Sequence, residues 1–231
     1  MRKSFPMRRE SCGGARSLAL DLVGVKGLLS DSKVTALFCD DQKVKTEFIS
    51  KMLSWRRGDG AAGVIIYLDI DTAFTVFVED HAELPYAESL RIFRPRDNDI
   101  DDVVAGVNSL SGVQIDTVVF DSVTSLYNLR RDGMDSSKVN QGLGLYLALL
   151  TMAASRSGGR LLLTSMMRAG KKGEDKDAWF RTYAGGRLLR KRSDLILRLS
   201  RDASGQLEVS VLKSRDASLE GAILHLKVED E

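Results

Sequence analysis

The chain has 231 residues with 43% hydrophobic and 29% charged side chains, which is ordinary for a globular protein. It has no apolar run near the about 18 residues that span a bilayer, and its basic segment 1–16 lacks the apolar stretch of a signal peptide. We therefore expect a cytoplasmic or nuclear protein with no membrane partner, made of a basic tail (1–16) and a single core domain (17–231). Because Cys12 and Cys39 lie far apart and the two histidines are isolated, neither a disulfide nor a metal site is predicted.

Charge is distributed unevenly along the chain. The formal net charge is only +2, but residues 168–201 contain eleven lysines and arginines against four acidic residues, a net charge of +7. The rest of the chain therefore carries −5. This asymmetry predicts an anionic partner for the basic segment.

Short apolar runs of strand length recur in the sequence. They are Val34 to Cys39, Val64 to Asp69, Leu90 to Phe93, Thr117 to Asp121, Arg160 to Ser165, Asp194 to Leu199, Leu207 to Lys213 and Ala222 to Val228. The first five are nearly continuous in apolar character, which predicts central strands covered on both faces. The last three are separated only by short turns, which favours antiparallel hairpins.

Segments of helix length lie between the first strands, at Val44 to Arg57, Asn98 to Leu110 and Ser137 to Ser155. In the last of these, apolar residues recur at three- and four-residue steps, as on a helix with one buried face. Strands that alternate with helices indicate a parallel sheet with crossover helices. The predicted fold class is therefore α/β, with a mostly parallel central sheet, crossover helices and a C-terminal antiparallel extension.

The first strand, its loop and the next helix resemble the frame of a phosphate-binding Walker A motif, G-x-x-x-x-G-K-[ST]. In this frame Lys45 is the phosphate lysine and Thr46 the magnesium hydroxyl. Cys39 and Val44 replace the two glycines, and a β-branched valine resists the backbone conformation that wraps N–H groups around phosphates. The carboxylates of Asp40 and Asp41 would also repel an anion, so the sequence predicts a degenerate Walker A motif.

A second strand ends in an acidic residue, as in a Walker B motif. The run Thr117 to Asp121 is hydrophobic until its last residue, and an aspartate at the carboxyl end of such a strand supports Mg²⁺. Asp121 is therefore the predicted partner of Lys45 and Thr46 in a nucleotide site.

The order of these segments resembles the RecA-type ATPases, especially the archaeal RadA and RadB recombinases and their paralogues. The resemblance covers most of the chain from about Ser17 onward, and four stretches carry it: Val119 to Tyr127, Leu161 to Ser165, Gly185 to Leu199 and Lys213 to Gly221. It implies a RecA-like P-loop core with ATP and Mg²⁺ as cofactors. It also implies single-stranded DNA and a RecA-type recombinase as partners, with a homo-oligomer as a further possibility.

The resemblance further implies two catalytic positions at which this sequence departs from the family. Asp71 stands where the family has a water-activating glutamate, and it is one methylene shorter. Met166 stands where the family has a glutamine that senses the γ-phosphate, and it cannot donate a hydrogen bond. Several lost contacts together predict weak or absent hydrolysis, because each one costs a factor of about a hundred to a thousand. Asp71 and Asp121 are thus expected to be vestigial, in a pseudo-ATPase with no cofactor or with weakly bound ATP and Mg²⁺.

Two cations near the carboxyl terminus resemble the K-x-R element of KaiC-like proteins, which reaches the phosphate of a neighbouring subunit. These are Lys213 and Arg215, and the resemblance implies that they act in trans. The alternative interpretation is an exposed hairpin edge, where cations discourage pairing with other strands.

The resemblance also implies that the part of the basic segment from about Arg168 to Gly186 is the loop that touches single-stranded DNA in RecA-type proteins. Its predicted DNA-binding residues are cations with interleaved aromatic rings, namely Arg168, Lys171, Lys172, Lys176, Trp179, Arg181 and Arg187. Cations that follow a backbone and rings that stack on bases are what sequence-independent binding requires. The alternative is that Trp179 fills the core or a subunit interface.

Our first hypothesis for function is therefore a catalytically degenerate recombinase paralogue that binds DNA, a recombinase partner, or both, in homologous recombination and DNA repair. A second hypothesis is a scaffold or signalling subunit of the KaiC-like or archaellum type, which acts through protein contacts. A third is a weak ATPase with an unusual phosphate loop.

Overall fold

The computed structural model describes residues 22–81, 83–130, 135–167 and 183–226. The described residues form one eight-stranded sheet whose strand order is β3-β2-β4-β5-β1-β6-β7-β8. The strands are β1 (Val34–Cys39), β2 (Val64–Asp69), β3 (Leu90–Phe93), β4 (Ile115–Asp121), β5 (Arg160–Met166), β6 (Leu195–Arg201), β7 (Leu207–Lys213) and β8 (Ile223–Leu226). The first six strands in this order are parallel, and β7 and β8 are added in antiparallel fashion. The predicted α/β architecture is confirmed.

Helices cover both faces of the sheet. They are α1 (Leu22–Asp31), α2 (Gln42–Gly58), α3 (Ala73–Asp80), α4 (Ile100–Ser109), α5 (Val123–Arg130), α6 (Ser136–Ser155) and α7 (Gly186–Arg192). Two short 3-10 helices occupy Ala87–Ser89 and Ala217–Leu219. One core lies between the sheet and α1 to α3, and the other lies between the sheet and α4 to α7. No helix in these described ranges is long and apolar enough to span a membrane.

The crossover connections determine which residues meet at the carboxyl ends of the strands. Each of the strands β1 to β5 is followed by a helix that precedes the next strand, so the chain repeatedly leaves the sheet at the same edge. That edge holds Cys39, Asp69 and Asp121, which end β1, β2 and β4. In open parallel sheets this is where ligands bind.

Some predicted elements differ from the observed ones. β3 was expected to be a central strand, but it is the outer strand of the sheet, and Phe93 at its end is exposed. Helix α2 begins at Gln42, two residues before the predicted start at Val44. The helices α1, α3 and α5 were not predicted.

Candidate functional site

The connection between β1 and α2 occupies the position of the phosphate loop. It consists of Asp40 and Asp41 alone, since β1 ends at Cys39 and α2 begins at Gln42. The Asp41 side chain caps the helix by accepting a hydrogen bond from the Val44 N–H at 2.9 Å. The Lys45 N–H donates to the Asp41 carbonyl at 3.1 Å. These backbone N–H groups are therefore already hydrogen-bonded to Asp41 at the start of α2.

Lys45 is fully buried on α2 and contacts two carboxylates. Its Nζ lies 2.5 Å from Asp121 Oδ1 at the end of β4 and 3.0 Å from Asp71 Oδ2 just beyond β2. Burial alone would lower the pKa of Lys45, but the charges of Asp121 and Asp71 outweigh it and raise that pKa above its usual value. Lys45 is therefore a buried, charged residue whose ammonium is paired with carboxylates of the same chain.

Asp121 accepts hydrogen bonds from three side chains. It accepts from Lys45, from the Tyr67 hydroxyl at 2.6 Å and from the Thr164 hydroxyl. These donors come from α2, β2 and β5, so the carboxylate joins three neighbouring elements. A buried carboxylate needs such partners, because an unpaired buried charge is strongly unfavourable.

Asp69 adds a third carboxylate to the cluster. Carboxylate oxygens of Asp69, Asp71 and Asp121 lie within 4.8 Å of one another. Asp69 Oδ2 accepts from the N–H and hydroxyl of Thr75 at 2.7 and 2.6 Å, whereas its buried Oδ1 has no partner. Three carboxylates are a ligand set that suits Mg²⁺, but here two of them already hold the ammonium of Lys45.

Two further residues of the predicted nucleotide site make hydrogen bonds to the protein itself. The Thr46 hydroxyl donates to the Gln42 carbonyl one turn earlier in α2, at 3.0 Å. Met166 lies at the end of β5, where its backbone N–H donates to the Thr124 hydroxyl at 2.8 Å. The backbone of this strand end is thereby tied to α5.

Asp40 binds two groups at the mouth of the site. It accepts from the Tyr183 hydroxyl at 2.5 Å and pairs with Arg198 on β6 at 2.6 Å. Burial, and then the hydrogen bond to Asp40, raise the pKa of Tyr183 well above its usual value. The Tyr183 ring also stacks on Phe38 of β1, with the ring centroids 4.4 Å apart. Asp40, the first residue of the loop, is thus bound to Tyr183 and to β6.

Lys213 and Arg215, predicted to act in trans, contact their own chain. The Lys213 ammonium donates to the carbonyls of Arg190 and Ser193 at 2.8 and 2.5 Å, at the carboxyl end of α7. Arg215 pairs with Asp194 at 2.9 Å. The register of β7 with β8 covers Leu207 to Ser210 and ends before Lys213, so the alternative of an exposed hairpin edge at Lys213 and Arg215 stays open. The trans-acting role stays a prediction.

Most of the predicted DNA-binding loop lies outside the described residues, namely Arg168, Lys171, Lys172, Lys176, Trp179 and Arg181, as does the basic tail 1–16. The two ends of the loop are described, and Met167 and Tyr183 form an antiparallel bridge there. Arg187 is exposed on α7. Gly185 before it has φ +67°, and a Cβ there would lie 3.0 Å from Leu143 and Val123, so glycine is required at this position.

The Walker A frame predicted Lys45, the strand-end argument predicted Asp121 and the family resemblance implied Asp71, and the structure brings the three together. The strand-end argument could have found more. It missed Asp69 and Tyr67. Asp69 ends β2 beside Asp121, its register partner on β4, so the same argument applied to every parallel strand would have included it. Tyr67 gave a weaker signal, since a buried tyrosine needs a partner for its hydroxyl but the sequence does not identify which.

The sheet is mostly parallel and has helices on both faces. Lys45, on the helix that follows β1, faces the acidic ends of β2 and β4. Together these features make up the RecA-like α/β architecture. No family model matches the chain, and no curated protein matches it in sequence. Its structure is similar to the crystal structure of the RadB recombinase, with a TM-score of 0.65 and 15% sequence identity over 93% of this chain and 94% of that chain. The predicted RecA-like fold is confirmed.

Proposed function

We propose that this chain is a RecA-like recombinase paralogue that does not hydrolyse ATP. In this proposal it acts in homologous recombination and DNA repair by binding single-stranded DNA, a RecA-type recombinase, or both. The observation that carries the proposal is the buried Lys45, whose ammonium is held by Asp71 and Asp121. The likeness to the RadB recombinase supports the assignment to recombination.

The ion pairs of Lys45 oppose the binding of a nucleotide. A phosphate would have to draw the ammonium away from Asp121, which is fully buried. Leaving a buried charge without its partner costs about 3–5 kcal/mol. The incoming phosphates would also meet the carboxylates of Asp40 and Asp41, which lie in the connection to α2.

The backbone opposes nucleotide binding for a second reason. A phosphate loop binds through several N–H groups that point at one anion. Here the connection has two residues, and the N–H groups of Val44 and Lys45 donate to Asp41. The residues present therefore do not fit ATP and Mg²⁺, and we infer a degenerate Walker A motif in a pseudo-ATPase.

Binding of DNA is supported by the charge of segment 168–201. Of its cations, Arg187, Arg190 and Lys191 are exposed on α7. The segment is a strongly basic part of an otherwise acidic chain. Phosphate contacts from such a segment give affinity without sequence preference.

Phosphate release in the presence of ATP and Mg²⁺ tests the catalytic half of the proposal. We expect the wild-type protein to release no more phosphate than the Lys45→Ala variant. Isothermal titration with a non-hydrolysable ATP analogue should likewise give no heat of binding. Turnover that Lys45→Ala abolishes would establish the weak-ATPase hypothesis instead.

Fluorescence anisotropy with a labelled single-stranded oligonucleotide tests the binding half. We expect an affinity that falls steeply with salt, that ATP does not change, and that weakens when Lys171, Lys172 and Arg181 are replaced together by alanine. A matched control is the replacement of Lys43, Lys51 and Arg94 by alanine, which removes three cations outside the basic segment. Absent or salt-insensitive binding, with no capture of a RecA-type recombinase, would contradict the proposal.

A further inference from the structure

A small cavity lies between the sheet and the helices α1 and α2, at the end of the sheet opposite to Lys45. The sheet contributes residues near the amino ends of three strands, namely Thr35 of β1, Thr117 of β4 and Arg160 of β5. Lys45 contacts the carboxyl end of β4 instead. The cavity is therefore separate from the candidate nucleotide site.

The walls of the cavity are mainly apolar. Leu29 of α1, Met52 of α2 and Leu162 of β5 line it and belong to the core on that face of the sheet. Trp55 of α2 closes one side, and its ring is supported by an edge contact with Phe48, with the ring centroids 6.2 Å apart. Such walls favour an apolar occupant, because the occupant loses contact with water when it enters.

The volume of the cavity limits the size of that occupant. It is about 30 Å³, which is space for two or three groups of the size of a water molecule. Pockets that enclose a whole small molecule usually have about 300–1,000 Å³. A nucleobase is also too large, whereas the branched end of a leucine, isoleucine or valine side chain has the right size. The cavity therefore suits one aliphatic side chain of a larger molecule.

Two half-buried cations line the mouth of the cavity. The Nζ of Lys26 lies 5.3 Å from the centroid of the Trp55 ring. Arg160 donates a hydrogen bond to the Ser30 carbonyl at 2.5 Å. In the parts of the chain that the structure describes, neither cation forms an ion pair with a carboxylate. Both charges are therefore available to an acidic group of another molecule.

The other charged residues at the mouth are Arg56 and Asp59. Arg56 is engaged by Asp116, because its Nε donates to one carboxylate oxygen at 2.9 Å and its Nη2 contacts the other. Asp59, which follows α2, is exposed. Two cations without a carboxylate partner thus accompany one exposed carboxylate, and this excess of positive charge favours an acidic partner.

We propose that this cavity binds a segment of a partner protein in which a branched aliphatic residue is flanked by aspartate or glutamate. The aliphatic side chain enters the cavity beside Trp55, and the acidic residues pair with Lys26 and Arg160 at its mouth. An apolar anchor in a small pocket, surrounded by charged groups, is a common arrangement in protein contacts. The proposal does not depend on the role in recombination, because the cavity uses neither the strand-end carboxylates nor segment 168–201.

Selection from a library of random peptides displayed on phage tests the kind of partner. Peptides are captured on the wild-type protein after removal of those that bind Thr35→Ile, in which a larger side chain fills the cavity. We expect enrichment of leucine, isoleucine or valine next to aspartate or glutamate. Circular dichroism should show an unchanged fold in this variant, because the added atoms occupy empty space. Lys26→Glu, which changes no core residue, serves as a second variant for the removal step.

Fluorescence anisotropy with one selected peptide tests the charges. We expect Lys26→Glu to weaken binding by at least about tenfold, because a repulsive contact replaces an attractive one. The same peptide with lysine in place of its acidic residues should bind Lys26→Glu more tightly than the wild type. Asp59→Asn should strengthen binding of the acidic peptide by about two- to fivefold, because it removes a like charge. The matched control is Lys43→Glu, at a side chain that is 79% exposed in the first turn of α2, and it should leave the affinity unchanged.

Several outcomes would overturn the proposal. A selection that enriches no acidic aliphatic sequence over the Thr35→Ile background is one, and equal affinities of the wild type and Lys26→Glu for the selected peptide are another. Isovalerate, a branched aliphatic acid, that binds as tightly as the peptide would assign the cavity to a small molecule. Loss of single-stranded DNA binding in Lys26→Glu, with no peptide selected, would assign the surface to DNA.

Discussion

Lys45 illustrates how one residue type serves different purposes in the same position. In a phosphate loop the lysine must be available to the ligand, whereas here its buried ammonium contacts two carboxylates. These are two of the three carboxylates that gather at the strand ends. Lys45 is therefore part of the folded core, and its removal should affect stability.

We predict that Lys45→Met lowers the free energy of unfolding by about 3–5 kcal/mol, because Asp121 is left as an uncompensated buried charge. Urea denaturation followed by circular dichroism measures this change. A second replacement, Asp121→Asn, should recover part of the loss because it removes that charge. In the control Lys43→Met, a side chain that is 79% exposed should change stability by less than about 0.5 kcal/mol. A Lys45→Met protein as stable as the wild type would contradict this account.

At the scale of elements, α2 shows that local helix capping and helix propensity can override a loop motif. The Walker A frame predicts a helix that starts near Lys45, but Asp41 is a strong N-cap and nothing from Gln42 to Thr46 interrupts a helix. Glycine at position 44 would have disfavoured the helical conformation there. With Val44 in its place, the helix extends to Gln42 and takes up the residues that would otherwise form a loop.

We predict that Asp41→Ala destabilises the protein by about 1 kcal/mol, since the Val44 N–H loses its acceptor. Thermal unfolding measured by differential scanning calorimetry detects a change of this size. Asp41→Asn is the matched control, because it retains an oxygen that can accept the hydrogen bond. Equal losses in the two variants would argue against the capping role.

Helix α7 is stabilised from a distant part of the sequence. Lys213 on β7 donates to two carbonyls at the end of this seven-residue helix, where cations are favoured. We predict that Lys213→Met lowers the free energy of unfolding by about 1–3 kcal/mol, whereas Lys191→Met, at an exposed position on α7, changes it little. Urea denaturation distinguishes the two, and equal stabilities would favour a free Lys213 that is available to a neighbouring subunit.

At the scale of the whole molecule, the buried tyrosines determine how stability depends on pH. Burial raises the pKa of Tyr86 to about 12, although its hydrogen bond to Ser50 opposes this shift. Burial is also the largest cause of the raised pKa values of Tyr67, Tyr146 and Tyr183. A tyrosine with a raised pKa keeps its proton in the folded state where the unfolded chain has lost it. The contribution of these tyrosines to stability is therefore complete below about pH 10, and it is lost as the pH rises through their folded pKa values.

We predict that the free energy of unfolding decreases between pH 10 and pH 12, with about 2–3 kcal/mol of the decrease due to Tyr86. Urea denaturation at a series of pH values measures it, and absorbance at 295 nm follows ionisation of the tyrosines. The variant Tyr86→Phe keeps the buried ring but lacks the ionisable group, so its decrease should be smaller. An equal pH dependence in both proteins would exclude Tyr86 as a source.

The sequence by itself determined the strands, the parallel architecture and the membership of Lys45 and Asp121 in one site, whereas Asp71 was added by the family resemblance. Apolar runs and crossover lengths are local, and parallel strands bring their carboxyl ends to one edge in any such sheet. Only the tertiary structure decided that β3 is an edge strand, that Asp69 and Tyr67 join the site and that Lys213 stabilises α7. It also decided that the Lys45 ammonium is engaged by its own chain. These outcomes depend on which side chains meet across elements far apart in sequence, because a buried charge is stabilised only where it finds a partner.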